Sequence, residues 1–191
     1  IILMVGCYFA IPLKSINAKS FSILIIVTIC IYGFSSLIAI QNGWDHGVAA
    51  ALRLSIFFTV FWFAVLCLTY KIAMKLAVLV LPYLTTLSFA VFTLNGLDWE
   101  NTVDIEISSA WIRIHILMSL STYATISLAT MAAFSVFLSQ ISIKNKKSNI
   151  FVNFLPAINE ADRLQTILLV ISLFVLFIGI FTGMTVEYLK S

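Results

Sequence analysis

One histidine at the start of a long apolar segment is the residue best suited to chemistry. His115 follows Trp111 and Arg113, and the apolar segment after it continues to Leu138. An ionisable imidazole in such a segment is costly to bury unless it meets a partner, so it is a candidate functional residue. Its ring nitrogen could bind the iron of a flat, apolar cofactor. The alternative is a histidine at a wet interface without a specific role.

Polar side chains recur every four residues along the same segment. They are His115, Ser119, Tyr123 and Ser127, with Met118 and Thr122 close by in angle. Residues four apart lie on roughly one face of a helix, and we expect this face to point inward. Small hydroxyl side chains let helices approach closely and bond across an interface, which is one explanation. The other is a helix that faces a cofactor, with His115 as the ligand at its outer end.

The composition indicates an integral membrane protein. Of the 191 residues, 62% are hydrophobic and only 10% are charged. A span needs about 20 apolar residues to cross about 30 Å of hydrocarbon. Windows of this kind occupy residues 20–40, 48–70, 76–94, 112–138 and 166–188, and the shorter run 1–13 is consistent with the rear part of a truncated span. We expect one all-α transmembrane domain over residues 1–191, with about six segments and incomplete at both ends.

Charge placement predicts the orientation of this bundle. Eight of the eleven basic residues fall in alternate loops: Lys14, Lys19, Lys71, Lys75, Lys144, Lys146, Lys147 and Arg163. Lys and Arg accumulate on the cytoplasmic side, so the other side is extracytoplasmic and carries both histidines, His46 and His115. No basic patch suggests a nucleic-acid partner. A bacterial inner membrane is the expected location.

Motif searches exclude several classes of protein. The three cysteines, Cys7, Cys30 and Cys67, form no C-x-x-C pair, so the chain cannot attach haem to itself as a c-type cytochrome does. Phosphate-binding loops, H-E-x-x-H and G-x-S-x-G are also absent, so the sequence shows none of the motifs typical of hydrolases and nucleotide-driven pumps. Trp44, Trp99 and Trp111 lie in or beside the outer loops. Such aromatic residues form interfacial belts, and a porphyrin could also pack against them.

Three features mark the segment around His115: a tryptophan (Trp111), a histidine four residues later (His115), and a Ser-Thr-Tyr-Ala element at residues 121–124. Together they resemble the signature of the cytochrome c assembly transmembrane family of haem-handling proteins. Residues 159–164 and 178–184 also resemble that family in order and spacing. The likeness covers about half of the chain, and the earlier segments agree only in hydropathy.

This resemblance implies non-covalent haem b held at the extracytoplasmic face for attachment to apocytochrome c, with apocytochrome c or another assembly subunit as partner. It implies His115 as an axial iron ligand. From their positions around this histidine, Trp111, Arg113, Met118, Ser119 and Tyr123 are expected as further cofactor contacts. A second ligand is expected beyond Ser191, so the chain alone is not expected to form thioethers. His46 is expected to be an exposed loop histidine.

Two arginines near the outer surface have alternative roles. Arg53 and Arg113 could bind haem propionates, pair with loop acids or reach lipid phosphates. Being two apart, Arg113 and His115 should lie on opposite helix faces. A competing function uses the loop acids Asp98, Glu100, Asp104 and Glu106 as oxygen ligands in a divalent-cation transport accessory protein. A third alternative is a regulatory or structural membrane subunit without a cofactor.

Overall fold

The computed structural model describes residues 33–34, 48–95, 110–145 and 154–190. Four long helices make up nearly all of this part of the chain: α1 (Val48–Thr69), α2 (Ala77–Asn95), α3 (Ala110–Lys144) and α4 (Ile158–Lys190). A short 3₁₀ segment, Lys71–Leu76, joins α1 to α2. The predicted segment 1–13, the segment 20–40 apart from residues 33–34, and the predicted loop residues His46, Asp98, Glu100, Asp104 and Glu106 lie outside the described residues.

The four helices confirm four of the predicted spans. Each is long and apolar enough to cross a membrane. However, α3 has 35 residues and α4 has 33, which makes them longer than the predicted windows. At about 1.5 Å per residue both are about 50 Å long, well beyond about 30 Å of hydrocarbon. Hydropathy windows end where polar residues begin, whereas the helical backbone hydrogen bonds continue through these residues. The windows therefore underestimate the length of both helices.

Helix α3 is the centre of the described bundle. It packs most extensively against α4 and next against α1, and α1 in turn packs against α2. The guanidinium of Arg163, near the start of α4, lies 5.8 Å from the ring centroid of Tyr70, just after the end of α1. Helices α1 and α3 therefore run parallel, and α2 and α4 run in the opposite direction. This arrangement places Lys71, Lys75, Lys144 and Arg163 at one end of the bundle and His115 at the other.

A continuous apolar core lies between α1, α2, α3 and the start of α4. Its largest fully buried side chains are Ile56, Leu76, Val80, Leu128, Leu164 and Leu168. Cys67 packs against this core as a free thiol, as expected of a small apolar side chain. Pro82 lies inside α2, which continues to Asn95.

Candidate functional site

His115 lies in the second turn of α3, against helix α4. Its Nδ1 atom is 2.9 Å from the carbonyl oxygen of Gly179, and the imidazole is half-buried. A carbonyl oxygen can only accept a hydrogen bond, so Nδ1 must carry the proton that is donated. In the neutral ring the lone pair is then on Nε2. Within the described part of the chain, Nε2 has no hydrogen-bond partner, so the contact with Gly179 leaves one nitrogen able to bind a ligand.

Two glycines of α4 bring its backbone close to this imidazole. Gly179 supplies the carbonyl, and Gly183 lies one turn later on the same helix. A Cβ atom on Gly183 would be 2.9 Å from Cε1 of His115 and 3.1 Å from Nδ1, closer than Cβ atoms normally approach. Small residues four apart are a common device for close helix approach in membranes. This glycine pair, Gly179 and Gly183, forms the wall against which the ring rests.

The carbonyl of Gly179 accepts a second side-chain hydrogen bond. The buried Thr182 hydroxyl donates to it over 2.8 Å, in addition to the contact from His115. Two donors that share one acceptor compete for its electron density. Thr182 therefore influences how strongly the carbonyl holds the imidazole proton, although its hydroxyl does not touch the ring.

The predicted inward face of α3 is correct in part. Thr122 is 4% exposed, and Met118 faces α4, where its Cβ would be 3.7 Å from a Cβ on Gly179. Ser119 is half-buried and donates to the His115 carbonyl over 2.9 Å. Tyr123, in contrast, is 66% exposed, so the expectation that it points inward is wrong. A step of four residues overshoots a full turn by about 40°, so two steps turn Tyr123 by about 80° from His115.

Hydrogen bonds between helices fix the hydroxyl-rich part of α3. The indole Nε1 of Trp62, in α1, donates to Ser121 Oγ over 2.8 Å. The Tyr83 hydroxyl, in α2, donates to Ser127 Oγ over 3.1 Å. No sequence pattern predicts a role for these two aromatic residues, because the partner of an aromatic side chain inside a span depends on helix packing. Both bonds support the interface explanation for the serines of α3.

The remaining predicted site residues lie near the same end of the bundle. Arg113 is exposed, whereas His115 is half-buried. Trp111 is 42% exposed and lies one turn before His115 on a similar face. Arg53 is half-buried near the start of the parallel helix α1. Among the described residues, no three His, Cys, Asp or Glu side chains converge as a metal-binding group.

Over the residues that the structure describes, the fold is all-helical, with four membrane-length helices and a histidine of one helix held against another. A protein of Azospirillum brasilense, described as an uncharacterized 28.8 kDa protein in a nifR3-like 5' region, is 32% identical to the chain over 156 residues. The match covers 82% of this chain but 57% of that relative. No family model matches the chain, and no solved structure matches it significantly.

Proposed function

We propose that the chain belongs to a haem-handling membrane protein of cytochrome c biogenesis, in which His115 is an axial ligand of non-covalent haem b. The observation that supports this most is the 2.9 Å contact between His115 Nδ1 and the Gly179 carbonyl. Metal-binding histidines almost always donate their second ring N–H to a carbonyl or carboxylate, which fixes the tautomer and raises the basicity of the ligating nitrogen. His115 already has this arrangement.

The surroundings of His115 also suit a porphyrin. Trp111 offers a partly exposed aromatic surface one turn away, and Met118 and Ser119 lie one turn deeper along α3. Exposed Arg113 can bind a propionate at the rim without occupying the face of the imidazole. Tyr123 is the weakest of the proposed contacts because it points away from the packed helices. When bound, haem supplies an iron whose reactivity its axial ligands tune.

The proposed topology puts this site at the extracytoplasmic face of a bacterial inner membrane. Lys71, Lys75, Lys144 and Arg163 share the opposite end of the bundle, as the positive-inside rule requires of a cytoplasmic surface. About six segments are proposed for the domain, with a second axial ligand beyond Ser191. The role of His115 and its neighbours is then to orient haem for an apocytochrome c or another assembly subunit.

The first test is an oxidised-minus-reduced optical spectrum of the detergent-purified full-length protein, expressed with excess haem. We expect a b-type signal in the parent protein and its loss in His115→Ala. His46→Ala is the matched control, because it makes the same substitution at the other of the two histidines. This variant should retain the signal.

Two results would overturn the proposal. The first is a parent protein that carries no haem under these conditions, which would favour the cofactor-free subunit or the cation accessory function. The second is a haem signal that survives unchanged in His115→Ala, which would leave the family resemblance without its central ligand. Loss of the signal in both histidine variants would assign a ligand role to His46 as well and contradict the site described above.

A further inference from the structure

We propose that Gly183 is a positioning residue for the His115 imidazole, because only a residue without a side chain leaves room for the ring against α4. The ring is oriented for haem in the proposed function, on which this inference rests. Its geometric part concerns the imidazole alone and can be measured without haem. Gly183 itself has no group that would touch a cofactor.

The contacts at Gly183 come from the imidazole. The three heavy atoms nearest to a Cβ built on Gly183 all belong to the His115 ring, at 2.9 Å from Cε1, 3.1 Å from Nδ1 and 3.7 Å from Nε2. The equivalent atom on Gly179 would meet only Met118 Cβ, at an ordinary 3.7 Å. The two glycines therefore differ in function. Helix α4 approaches α3 at both, but the space at Gly183 is filled by the imidazole.

A methyl group at position 183 would displace the ring rather than the helices. Cε1 lies at the far end of a side chain that can rotate about two bonds, whereas moving α4 would disturb packing along the whole α3–α4 interface. Alanine is also a better helix former than glycine, so α4 itself should persist. Ring rotation would pull Nδ1 away from the Gly179 carbonyl. Without that acceptor, the proton is no longer confined to Nδ1, and Nε2 is no longer fixed in direction.

The test compares Gly183→Ala with Met184→Ala in the full chain. Met184 is the next residue of α4 and is 68% exposed, so its variant changes the same helix without facing the ring. Protein labelled with ¹⁵N-histidine in detergent, without haem, reports which ring nitrogen carries the proton. His46→Ala assigns the two histidine signals. We expect Nδ1–H and bare Nε2 for His115 in the parent and in Met184→Ala, and loss of this pattern in Gly183→Ala.

A haem titration of the same proteins gives the second measurement. Removing support around a metal ligand typically lowers affinity about 10- to 100-fold, and we expect a loss in this range for Gly183→Ala alone. An unchanged Nδ1–H signature in Gly183→Ala would overturn the inference. If the parent binds no haem but Gly183→Ala changes the tautomer, the proposed function fails while the geometric role of Gly183 stands.

A second variant covers the case in which Gly183→Ala does not accumulate. The double variant Gly183→Ala/His115→Ala removes the ring atoms that the new methyl group would meet, so it should accumulate like His115→Ala. Rescue by the double variant supports the direct contact between residue 183 and the imidazole. A double variant that still fails to fold would show that the helices, and not the imidazole, require glycine at position 183, and would overturn the inference.

Discussion

The Nδ1 atom of His115 lies 2.9 Å from the carbonyl oxygen of Gly179, although 64 residues separate them in the chain. Hydrogen bonds between membrane helices contribute only about 0.6 kcal/mol on average, so this one adds little to the stability of the α3–α4 pair. Its main effect is on the imidazole, whose tautomer and direction it fixes.

Replacing His115 with glycine should create a space that free imidazole can enter. Neither glycine of the neighbouring pair has a side chain that would fill this space, and the Gly179 carbonyl remains as an acceptor for an N–H. We expect His115→Gly to lack the b-type haem spectrum and to regain it when millimolar imidazole is added to the purified protein with haem. Optical titration with imidazole measures the recovery.

The same titration with an imidazole methylated on both ring nitrogens provides the control for this rescue. An imidazole with both nitrogens substituted can neither donate to Gly179 nor bind iron, so it should restore nothing. Recovery by such a compound, or equal recovery in His115→Gly and His115→Gly/Gly183→Ala, would contradict the arrangement of the ring against the glycine pair.

Replacing Thr182 with valine should strengthen the hold of the Gly179 carbonyl on His115. Valine has nearly the same shape but lacks the hydroxyl that donates to this carbonyl over 2.8 Å. A carbonyl with one donor fewer accepts more strongly from the imidazole N–H, which makes the imidazole a more basic ligand. A more basic axial ligand favours ferric iron. We therefore expect a lower midpoint potential of bound haem in Thr182→Val, measured by optical redox titration.

A conservative change at the same position distinguishes this effect from a change of packing. Thr182→Ser retains the hydroxyl and removes a methyl group, so its midpoint potential should stay close to that of the parent. A rise in potential in Thr182→Val, or equal shifts in both variants, would be inconsistent with competition for the carbonyl.

The hydrogen bond between Trp62 and Ser121 should couple α1 to α3 energetically. Trp62 Nε1 donates to Ser121 Oγ over 2.8 Å, and Ser121 is 6% exposed. Interhelical hydrogen bonds of this kind have coupling energies of about 0.6 kcal/mol, with a maximum of about 1.7 kcal/mol. We expect Trp62→Phe and Ser121→Ala to lower the free energy of unfolding, and the double variant to lower it by less than their sum. Unfolding in mixed detergent micelles measures the free energies for this double-mutant cycle. If the losses of the two single variants are strictly additive in the double variant, the two side chains do not interact and the bond is absent.

The helices themselves could largely be predicted from the sequence, because a membrane-spanning segment has to satisfy its backbone internally and be apolar throughout. All four described spans fall where apolar windows place them. Their ends could not be predicted in this way. Polar and charged side chains are interspersed in residues 139–144 of α3 and 158–163 of α4, so the hydropathy windows exclude these residues although the helices include them.

The site was predictable only in its central residue. An imidazole in an apolar segment draws attention to His115 on energetic grounds alone. The other contributions come from α4: the Gly179 carbonyl accepts from the imidazole, the Thr182 hydroxyl donates to the same carbonyl, and Gly183 leaves room for the ring. They could not be predicted, because they depend on which helix packs against His115. A four-residue glycine spacing on α4 was the available signal for close helix approach. The wrong prediction for Tyr123 has another cause. Residues spaced four apart shift progressively around a helix of 3.6 residues per turn, so Tyr123 no longer shares the face of His115.

The sidedness of the bundle can be tested with single cysteines at its two ends. Arg113 and Lys144 are both exposed and belong to opposite ends of α3, so a cysteine at either position should be reachable by a reagent. In a background with Cys7, Cys30 and Cys67 replaced by serine, we expect a membrane-impermeant maleimide to label Arg113→Cys in intact cells. Lys144→Cys should be labelled only after permeabilisation, because the proposed topology puts the basic end of the bundle in the cytoplasm. The reverse pattern would place His115 on the cytoplasmic side, where it could not present haem to an extracytoplasmic apocytochrome. The proposed function would then have to be abandoned even if haem were bound.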